Sequence, residues 1–378
     1  MTRIAHIANM YGPKSGGLKT TMRALAREYV DRGDDVLLIV PGRRDGYARD
    51  GKITTVSVAA MPIPFSGGYR IILNTARVIK TLNDFDVERL EVSDRTTLLR
   101  VARWARRRSI PTIFFAHERL DGVISAFGKI LPFKKVLIRH WNRFTLDSVD
   151  HIVATTAFAS KEFVDLGLEL NRSALVTIPL GVDLELFNPD SRHLPIPIAR
   201  EIPRRYIFAC TRLSKEKDPL FLLEIARQLS RSRPDLPIVI AGSGPMEQKI
   251  RQTVAAEKLN VILLGFVGDK EILARLMSSA EIFLAVGPIE TFGLAALEAL
   301  ASGTPVICRS EAAISEIITR NSGAHRPRNA AIWAETAQQF STIHRDVLRT
   351  QCRARAEEFS WKKTADRLLS LDSKELTK

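Results

Sequence analysis

The sequence predicts an α/β protein made of two doubly wound domains, each a parallel sheet covered on both faces by helices. Three observations point there. At 378 residues the chain is long for one core and ample for two. Short apolar strands alternate with helical stretches through both halves, the trace that parallel strands and crossover helices leave in a sequence. A turn-rich stretch from Pro179 to Pro197, with Pro189 and Pro195 inside it, interrupts the alternation at mid-chain. The expected division is 1–182 for the first domain, 183–200 for a hinge and 201–360 for the second domain.

Arg3 to Ala8 reads as the first strand, Gly16 to Asp31 as a helix closing at Gly33, and Val36 to Val40 as the second strand. Glycines between strand and helix put backbone N–H groups at the carboxyl end of the strand, where open α/β sheets bind ligands. GPKSGGLKT in this turn is not a P-loop, because Leu18 separates Gly17 from Lys19, and it lacks the dinucleotide-fingerprint spacing. A tight turn alone would explain Gly16 and Gly17. Helices near Tyr69 to Leu82 and over Thr96 to Arg108 alternate with strands Val87 to Val92 and Thr112 to Ala116. His117 falls just past the end of the last of these, on the functional edge of such a sheet, although a lone histidine is more often structural. After a helical region beyond Ser125 come strand His151 to Ala154, helix Ala157 to Leu166 and strand Ala174 to Ile178. The second half begins with strand Tyr206 to Ala209 and helix Leu220 to Arg231. Strands Ile238 to Ala241, Val261 to Leu264 and Ile282 to Ala285 then alternate with helices Pro245 to Leu259 and Lys270 to Ser278. Strand Val306 to Cys308 and helix Ala313 to Thr319 complete the sheet, and the chain is helical and charged from Arg345.

Composition is that of an ordinary globular protein, 45% hydrophobic and 26% charged. No basic start followed by an apolar run suggests a leader, and no apolar stretch approaches membrane-spanning length, so a cytoplasmic protein is expected. Cys210, Cys308 and Cys352 are too few and too scattered for a disulfide framework, and the seven histidines show no zinc-ligand spacing. The net charge of +14 is concentrated. Between Arg95 and Arg143 stand twelve Lys or Arg residues against Glu118 and Asp121. Arg100, Arg103 and Arg107 share one helical face, opposite Leu99, Ala102, Trp104 and Ala105. From Phe127 to Phe144, Lys129, Lys134, Lys135, Arg139 and Arg143 interleave with Ile130, Leu131, Phe133 and Trp141, a mixture suited to an anionic membrane surface. A solvated helix exterior would account for the same charges. No nucleic-acid-binding signature accompanies them.

The chemistry is expected in GPIETFGLAALEALASGT, Gly287 to Thr304. Glu298 is the only formal charge between Thr291 and Cys308, on a helix apolar all round, and a carboxylate there is costly unless donors reach it. The helix start at Thr291 to Leu294 offers backbone N–H groups and the positive dipole end to an anion. Arg212 and Lys217 follow the first strand of the second domain. A guanidinium fork and an ammonium suit a diphosphate, though a surface loop would also explain SKEKD.

Glu290-x7-Glu298 within ETFGLAALEALASGTPVI resembles the signature of the retaining glycosyltransferases of family 4, which have the GT-B fold of two Rossmann-like domains facing across a cleft. SGGL at Ser15, FFAHE around His117, PLGVDLELF at Pro179, TRLSKEKDP at Thr211, AGSGP at Ala241 and LGFV at Leu264 occur in the family's order and span nearly the whole chain. The resemblance implies that Glu298 binds the nucleotide ribose, that Glu290 supports an oxocarbenium-like transition state and that His117 contacts the transferred sugar. Thr291, Phe292, Gly293 and Leu294 would meet the phosphates, bracketed by Arg212 and Lys217. Gly265, Phe266 and Val267 would border the base, Gly242 and Gly244 make the turn beside it, and Gly16 and Gly17 touch donor or acceptor. It also implies a last helix, about 361–378, that returns to the first domain.

The implied reaction is metal-independent hexosyl transfer from a nucleotide sugar. EVSDR at Glu91 and FFAHERLDG at Phe114 resemble bacterial mannosyltransferases acting on lipid acceptors, which points to GDP-mannose, a glycolipid acceptor and a site on the inner face of the cell membrane. The alternative is a UDP-sugar enzyme with a soluble acceptor. Paired carboxylates would also suit a glycoside hydrolase, but Glu290 and Glu298 share one short segment and hydrolysis has no use for phosphate-binding cations. A non-enzymatic basic binding protein is the third class.

Overall fold

The computed structural model describes residues 1–12, 16–64, 68–117, 134–164, 175–198 and 202–372. Two compact units emerge: Met1–Leu180 with Trp361–Lys378, and Gly181–Ser360.

The first unit contains β1 (Arg3–Ala8), α1 (Gly17–Asp31), β2 (Asp35–Gly42), β3 (Gly46–Asp50), β4 (Ile53–Ala59), the short pair β5 (Met61–Pro62) and β6 (Arg70–Ile71), and α2 (Thr75–Phe85). It continues with β7 (Arg89–Ser93), α3 (Leu99–Arg106), β8 (Thr112–Ala116), α4 (Lys134–Leu146), β9 (His151–Ala154), α5 (Ala157–Val164) and β10 (Leu175–Thr177). Eight strands form one sheet in the order β10-β9-β8-β7-β1-β2-β4-β3, parallel except for β3, which runs back along β4. Unbroken apolar runs such as VLLIV in β2 follow from burial on both faces. One core under this sheet joins Ile7, Ile39, Leu90, Val92, Leu99, Phe114 and Ile152.

Between Val40 and Tyr69 the sequence predicts no strand, whereas the structure has three, β3, β4 and β5, with β6 just beyond them. The exposed GYARD of β3 carries no apolar signal, and β4 alternates Thr and Ser with Val at the sheet's rim. The helix expected from Tyr69 starts instead at Thr75, because the Asn74 side chain accepts the Arg77 N–H at 3.0 Å and Arg70–Ile71 pairs with Met61–Pro62.

The second unit contains β11 (Ile207–Cys210), α6 (Leu220–Ser232), β12 (Ile238–Ala241), α7 (Glu247–Ala256), β13 (Val261–Gly265), α8 (Lys270–Ser279), β14 (Ile282–Ala285), α9 (Leu294–Ala301), β15 (Val306–Arg309), β16 (Gly323–Arg326), α10 (Ala330–Ser341) and α11 (Arg345–Glu357). Its sheet is wholly parallel in the order β13-β12-β11-β14-β15-β16, with its own core around Ile207, Phe221, Ile240, Leu284, Ile307 and Trp333. Strand order reverses between β11 and β14 here, and between β1 and β7 in the first sheet. Such reversals open the crevice where doubly wound sheets bind ligands. The expected helix Ala313 to Thr319 is a single 3-10 turn, Ala313–Glu316. β16 and α10 are additions. GAHR is too short and polar to announce a strand, whereas Asn329, capping the N–H groups of Ala331 and Ile332, was a legible helix start.

The stretch read as a hinge, 183–200, belongs as far as residue 198 to the second unit. Asn188 caps a 3-10 turn over Pro189–His193, Phe187 is buried, and Arg353 donates to the carbonyls of Leu184 and Phe187 at 3.0 and 2.8 Å. Prolines reported turns there, not a free linker. The units part instead at Leu180–Gly181 and again at Ser360–Trp361. Beyond the second break, α12 (Trp361–Leu369) packs on α1, where Arg32 pairs with Asp366 at 2.6 Å. Among the described residues no helix is long and apolar enough to cross a membrane.

Candidate active site

In the second unit, the loops leaving β11 and β14 flank the point where strand order reverses. The first carries Arg212 and Lys217 and the second Glu290, and Lys217 Nζ donates to Glu290 Oε1 at 3.0 Å with both side chains partly exposed. The second loop leads into α9, whose N-cap is Gly293 with φ +93 and no capping side chain. A Cβ at Gly293 would come within 3.1 Å of Ile314 and 3.3 Å of Glu290 Oε2, so both backbone conformation and space call for glycine. No side chain caps the first turn of α9, where the Ala296 N–H donates back to the Gly293 carbonyl at 3.0 Å. Arg212 is exposed on the same loop as Lys217.

Glu298 lies one turn into α9, partly covered, and no donor hydrogen-bonds its carboxylate among the described residues. Desolvation pushes its pKa up to about 7, against the pull of Lys270 and with a smaller push from Asp183. Cys210, at the end of β11, feels both Glu298 and Glu290, and burial with these two charges raises its pKa to about 12. Its thiol is therefore inert.

Two devices hold the loops, and only the second is announced in the sequence. Arg309, buried at the end of β15, donates from Nε to the Val286 carbonyl at 3.0 Å and pairs with Asp218, so one guanidinium ties together the loops of Lys217 and Glu290. Its flat face stacks on Phe221 at 5.0 Å, with Arg328 on the same ring at 4.6 Å. Gly242, φ +145, backs onto the other side, where a Cβ would stand 1.9 Å from the Thr211 carbonyl oxygen. Gly244 is similarly pressed against Leu213. These glycines, expected at the donor, are required by the packing of the Arg212 loop. Past β13, Gly265 has open space beside it, Phe266 is 52% exposed and Val267 is partly covered.

In the first unit, β1, β7 and β8 bring a row of polar groups onto one sheet face. His117 Nε2 lies 2.8 Å from Ser93 Oγ, which lies 2.8 Å from His6 Nε2, and the rings of His6, Phe115 and His117 are stacked. Burial lowers the pKa of both histidines to about 3, with Arg89 adding to the effect on His6, and His6 and Arg95 adding to that on His117. Gly16 is the N-cap of α1, exposed beside Gly17 with no side-chain cap.

The family description "Glycosyltransferase Family 4" matches residues 15–186, and "Glycosyl transferases group 1" matches 198–359. A GDP-mannose-dependent alpha-(1-6)-phosphatidylinositol dimannoside mannosyltransferase of Mycobacterium tuberculosis is 37% identical over 97% of this chain and 95% of its own. The chain belongs to glycosyltransferase family 4. A GDP-mannose-dependent alpha-mannosyltransferase of Corynebacterium glutamicum is 24% identical over 81% of the transferase and 71% of its own length. Among solved structures, sucrose-phosphate synthase from Thermosynechococcus elongatus superimposes with a TM-score of 0.77 at 20% identity, covering 100% and 99% of the two chains. Likeness at that identity establishes the two-domain GT-B fold of the transferase.

The transferase thus has Lys217, Glu290, Gly293 and Glu298 gathered at one strand-order reversal, and His117 beside the reversal of the other sheet. Of the basic region, Arg95 is internal: it forms a bidentate pair with Glu162 at 2.7 and 3.2 Å between the rings of Phe114 and Phe163. Arg100, Arg103, Arg107 and Arg108 instead line a groove of about 640 Å³ with Trp104 and Phe144. Trp104, expected opposite the basic face of α3, packs against the core and also borders this groove. Lys129 and its apolar neighbours lie outside the described residues, as do the side chains of Lys134 and Lys135.

Proposed function

We propose that the transferase moves mannose from GDP-mannose to a glycolipid hydroxyl with retention of anomeric configuration and no metal requirement. The observation that carries the donor and acceptor is the 37% identity, over nearly the full length of both chains, to an enzyme named for GDP-mannose and a phosphatidylinositol mannoside. The chemistry rests on the grouping around α9. Lys217 and Arg212 neutralise the leaving diphosphate, which the N–H groups from Phe292 to Leu294 also meet, and cations with a helix terminus take the place of a divalent ion. Glu298, to which none of the described residues donates, accepts from the ribose hydroxyls. Glu290, held by Lys217 until the phosphates arrive, supports charge at the sugar ring. Gly265 to Val267 border the base, with Phe266 exposed for stacking, and Gly16 and Gly17 touch the donor or the acceptor.

A transfer assay with GDP-mannose, UDP-glucose and UDP-N-acetylglucosamine, using phosphatidylinositol mannosides as acceptors, tests this. Mannosyl lipid is expected from GDP-mannose alone, and transfer from a UDP sugar alone would reverse the assignment. Glu290→Ala should cost about 100-fold or more in kcat with GDP affinity retained. Glu298→Ala should weaken GDP binding about tenfold by titration calorimetry. Equal kinetic loss with unchanged affinity in both variants would contradict the division of roles.

The enzyme works at the inner face of the cell membrane, held there by its basic surface from Arg100 to Arg143. The groove's guanidiniums are stacked on aromatic rings, Arg103 on Phe144 and Arg108 on Trp104. Replacing Arg100, Arg103, Arg107 and Arg139 by Ser should reduce co-sedimentation with vesicles containing phosphatidylinositol; unchanged sedimentation would remove this surface from the reading.

A further inference from the structure

The groove along α3 keeps its positive charge where the surrounding surface is neutralised. Arg100, Arg103 and Arg107 recur at i, i+3 and i+7 on one face of a helix, Leu99–Arg106, that contains no acid. Like charges at this spacing work against a helix. Among the described residues none of these three guanidiniums forms an ion pair or a side-chain hydrogen bond. Neighbouring arginines differ. Arg106 donates to Asp150 Oδ1 at 3.1 Å and to the Asp147 carbonyl at 2.9 Å, and Arg95 is paired with Glu162. The arginine-lined groove of the second unit is neutralised as well, Arg349 by Asp346 at 3.1 Å and Arg353 by Glu357 at 2.8 Å.

Aromatic rings set the walls of the α3 groove. Arg103 lies over Phe144 at 5.1 Å and Arg108 over Trp104 at 4.9 Å, with Arg108 also donating to Asn83 Oδ1 at 3.2 Å. A guanidinium held by its flat face keeps its N–H edge for an anion, and forked N–H groups match phosphate oxygens. About 640 Å³ is room for a phosphorylated ring. Trp141, one turn before Phe144 on α4, is 38% exposed, and an exposed tryptophan beside basic residues suits the boundary of a bilayer. We propose that Arg100, Arg103 and Arg107 form a discrete site for the phosphate of a polyol headgroup, an inositol phosphate, apart from the edge of the sheet where sugar is transferred. Asp150, which holds Arg106 beside the groove, also accepts the N–H of Thr112 at 2.9 Å, and Thr112 begins β8, whereas His117 follows the strand's last residue. The choice of inositol and of a lipid as its carrier rests on the acceptor and membrane readings given above; the phosphate site does not.

Charge-conserving substitution separates a site from a merely basic surface. Arg100→Lys, Arg103→Lys and Arg107→Lys, combined in the full-length protein, keep the net charge and remove the forks. Inositol monophosphate, followed by titration calorimetry, is the soluble ligand. Vesicles of phosphatidylcholine carrying either phosphatidylinositol or an equal charge of phosphatidylglycerol, followed by co-sedimentation, are the lipid ones. The wild type should bind inositol monophosphate one to one and sediment better with phosphatidylinositol than with phosphatidylglycerol. The triple-lysine variant should bind the soluble ligand about tenfold more weakly and lose the lipid preference. His117→Gln should bind inositol monophosphate as the wild type does. A wild type that neither binds inositol monophosphate nor prefers phosphatidylinositol, a triple-lysine variant that behaves as the wild type, or loss of headgroup binding in His117→Gln overturns the site. If the lysine variant is unchanged while the four-serine variant leaves the vesicles, the membrane reading stands and the discrete site falls. If inositol monophosphate binds and the lysine variant loses it, but no vesicle is bound, the site stands with a soluble ligand and the membrane reading falls.

Discussion

Glu298 sets binding against stability. Its carboxyl titrates near pH 7 in the folded chain, because burial disfavours the charge more than Lys270 favours it. Since the folded value lies above the unfolded one, its contribution is most favourable below pH 4.5 and is lost as pH rises towards and through 7. Glu298→Gln should therefore stabilise the enzyme at pH 8 by roughly 1–3 kcal/mol and change little at pH 4.5. Nucleotide affinity should fall, because an amide is a weaker acceptor for ribose hydroxyls than a carboxylate. Calorimetric unfolding at both pH values checks this, and a loss of stability at pH 8 would mean that the free enzyme already satisfies the charge. Glu298 was legible because it is the single charge in an apolar helix. Its neighbour Glu290 was legible only through its spacing from Glu298, and its ion pair with Lys217 spans 73 residues that no local pattern connects. His6, Glu91 and Ser93 were not legible at all. Each alone is a polar residue in an apolar strand, and only the β1–β7 register makes them a row.

Among the elements, the loop after β11 is the one most tightly built. It is pressed from one side by the turn at Gly242 and drawn from the other by Arg309 through Asp218. Gly242→Ala combines a φ of +145 with a Cβ 1.9 Å from the Thr211 oxygen, so the loop must shift. We expect a loss of roughly 2–4 kcal/mol in urea unfolding, with kcat reduced because Lys217 moves. Gly265→Ala, with φ +75 but open space, should cost only about 1 kcal/mol. Similar losses for both would show that backbone conformation, not the Thr211 contact, makes Gly242 necessary. Alternation exposed most of the parallel strands in both sheets, because strands buried on both faces are unbroken apolar runs. It was blind to the sheet rims, where β3 and β16 lack such runs, and to α10, whose start lies in a single capping asparagine. Proline content misled at 183–198 because the turns it makes are packed down by Arg353 and Phe187.

Each unit of the whole molecule has its own hydrophobic core, yet the first is completed by residues from the far end of the chain. Trp361, Ala365 and Leu368 of α12 are buried, the Leu368 carbonyl accepts from Arg89 at 2.9 Å, and Thr364 donates to the Pro179 carbonyl at 2.9 Å. Arg89 also pairs with Glu91 at 3.3 Å, so α12 closes over the polar row that ends at His117. Ending the chain after Ser360 should strip roughly 3–5 kcal/mol of apolar burial from the first unit and expose Arg89 to water. The second unit loses none of its core. Scanning calorimetry of the truncated protein should accordingly show one transition lowered and the other retained, with GDP affinity within about threefold of the full chain. A single transition that falls as a whole, or GDP affinity lost together with α12, would mean that the second unit depends on the first for its stability.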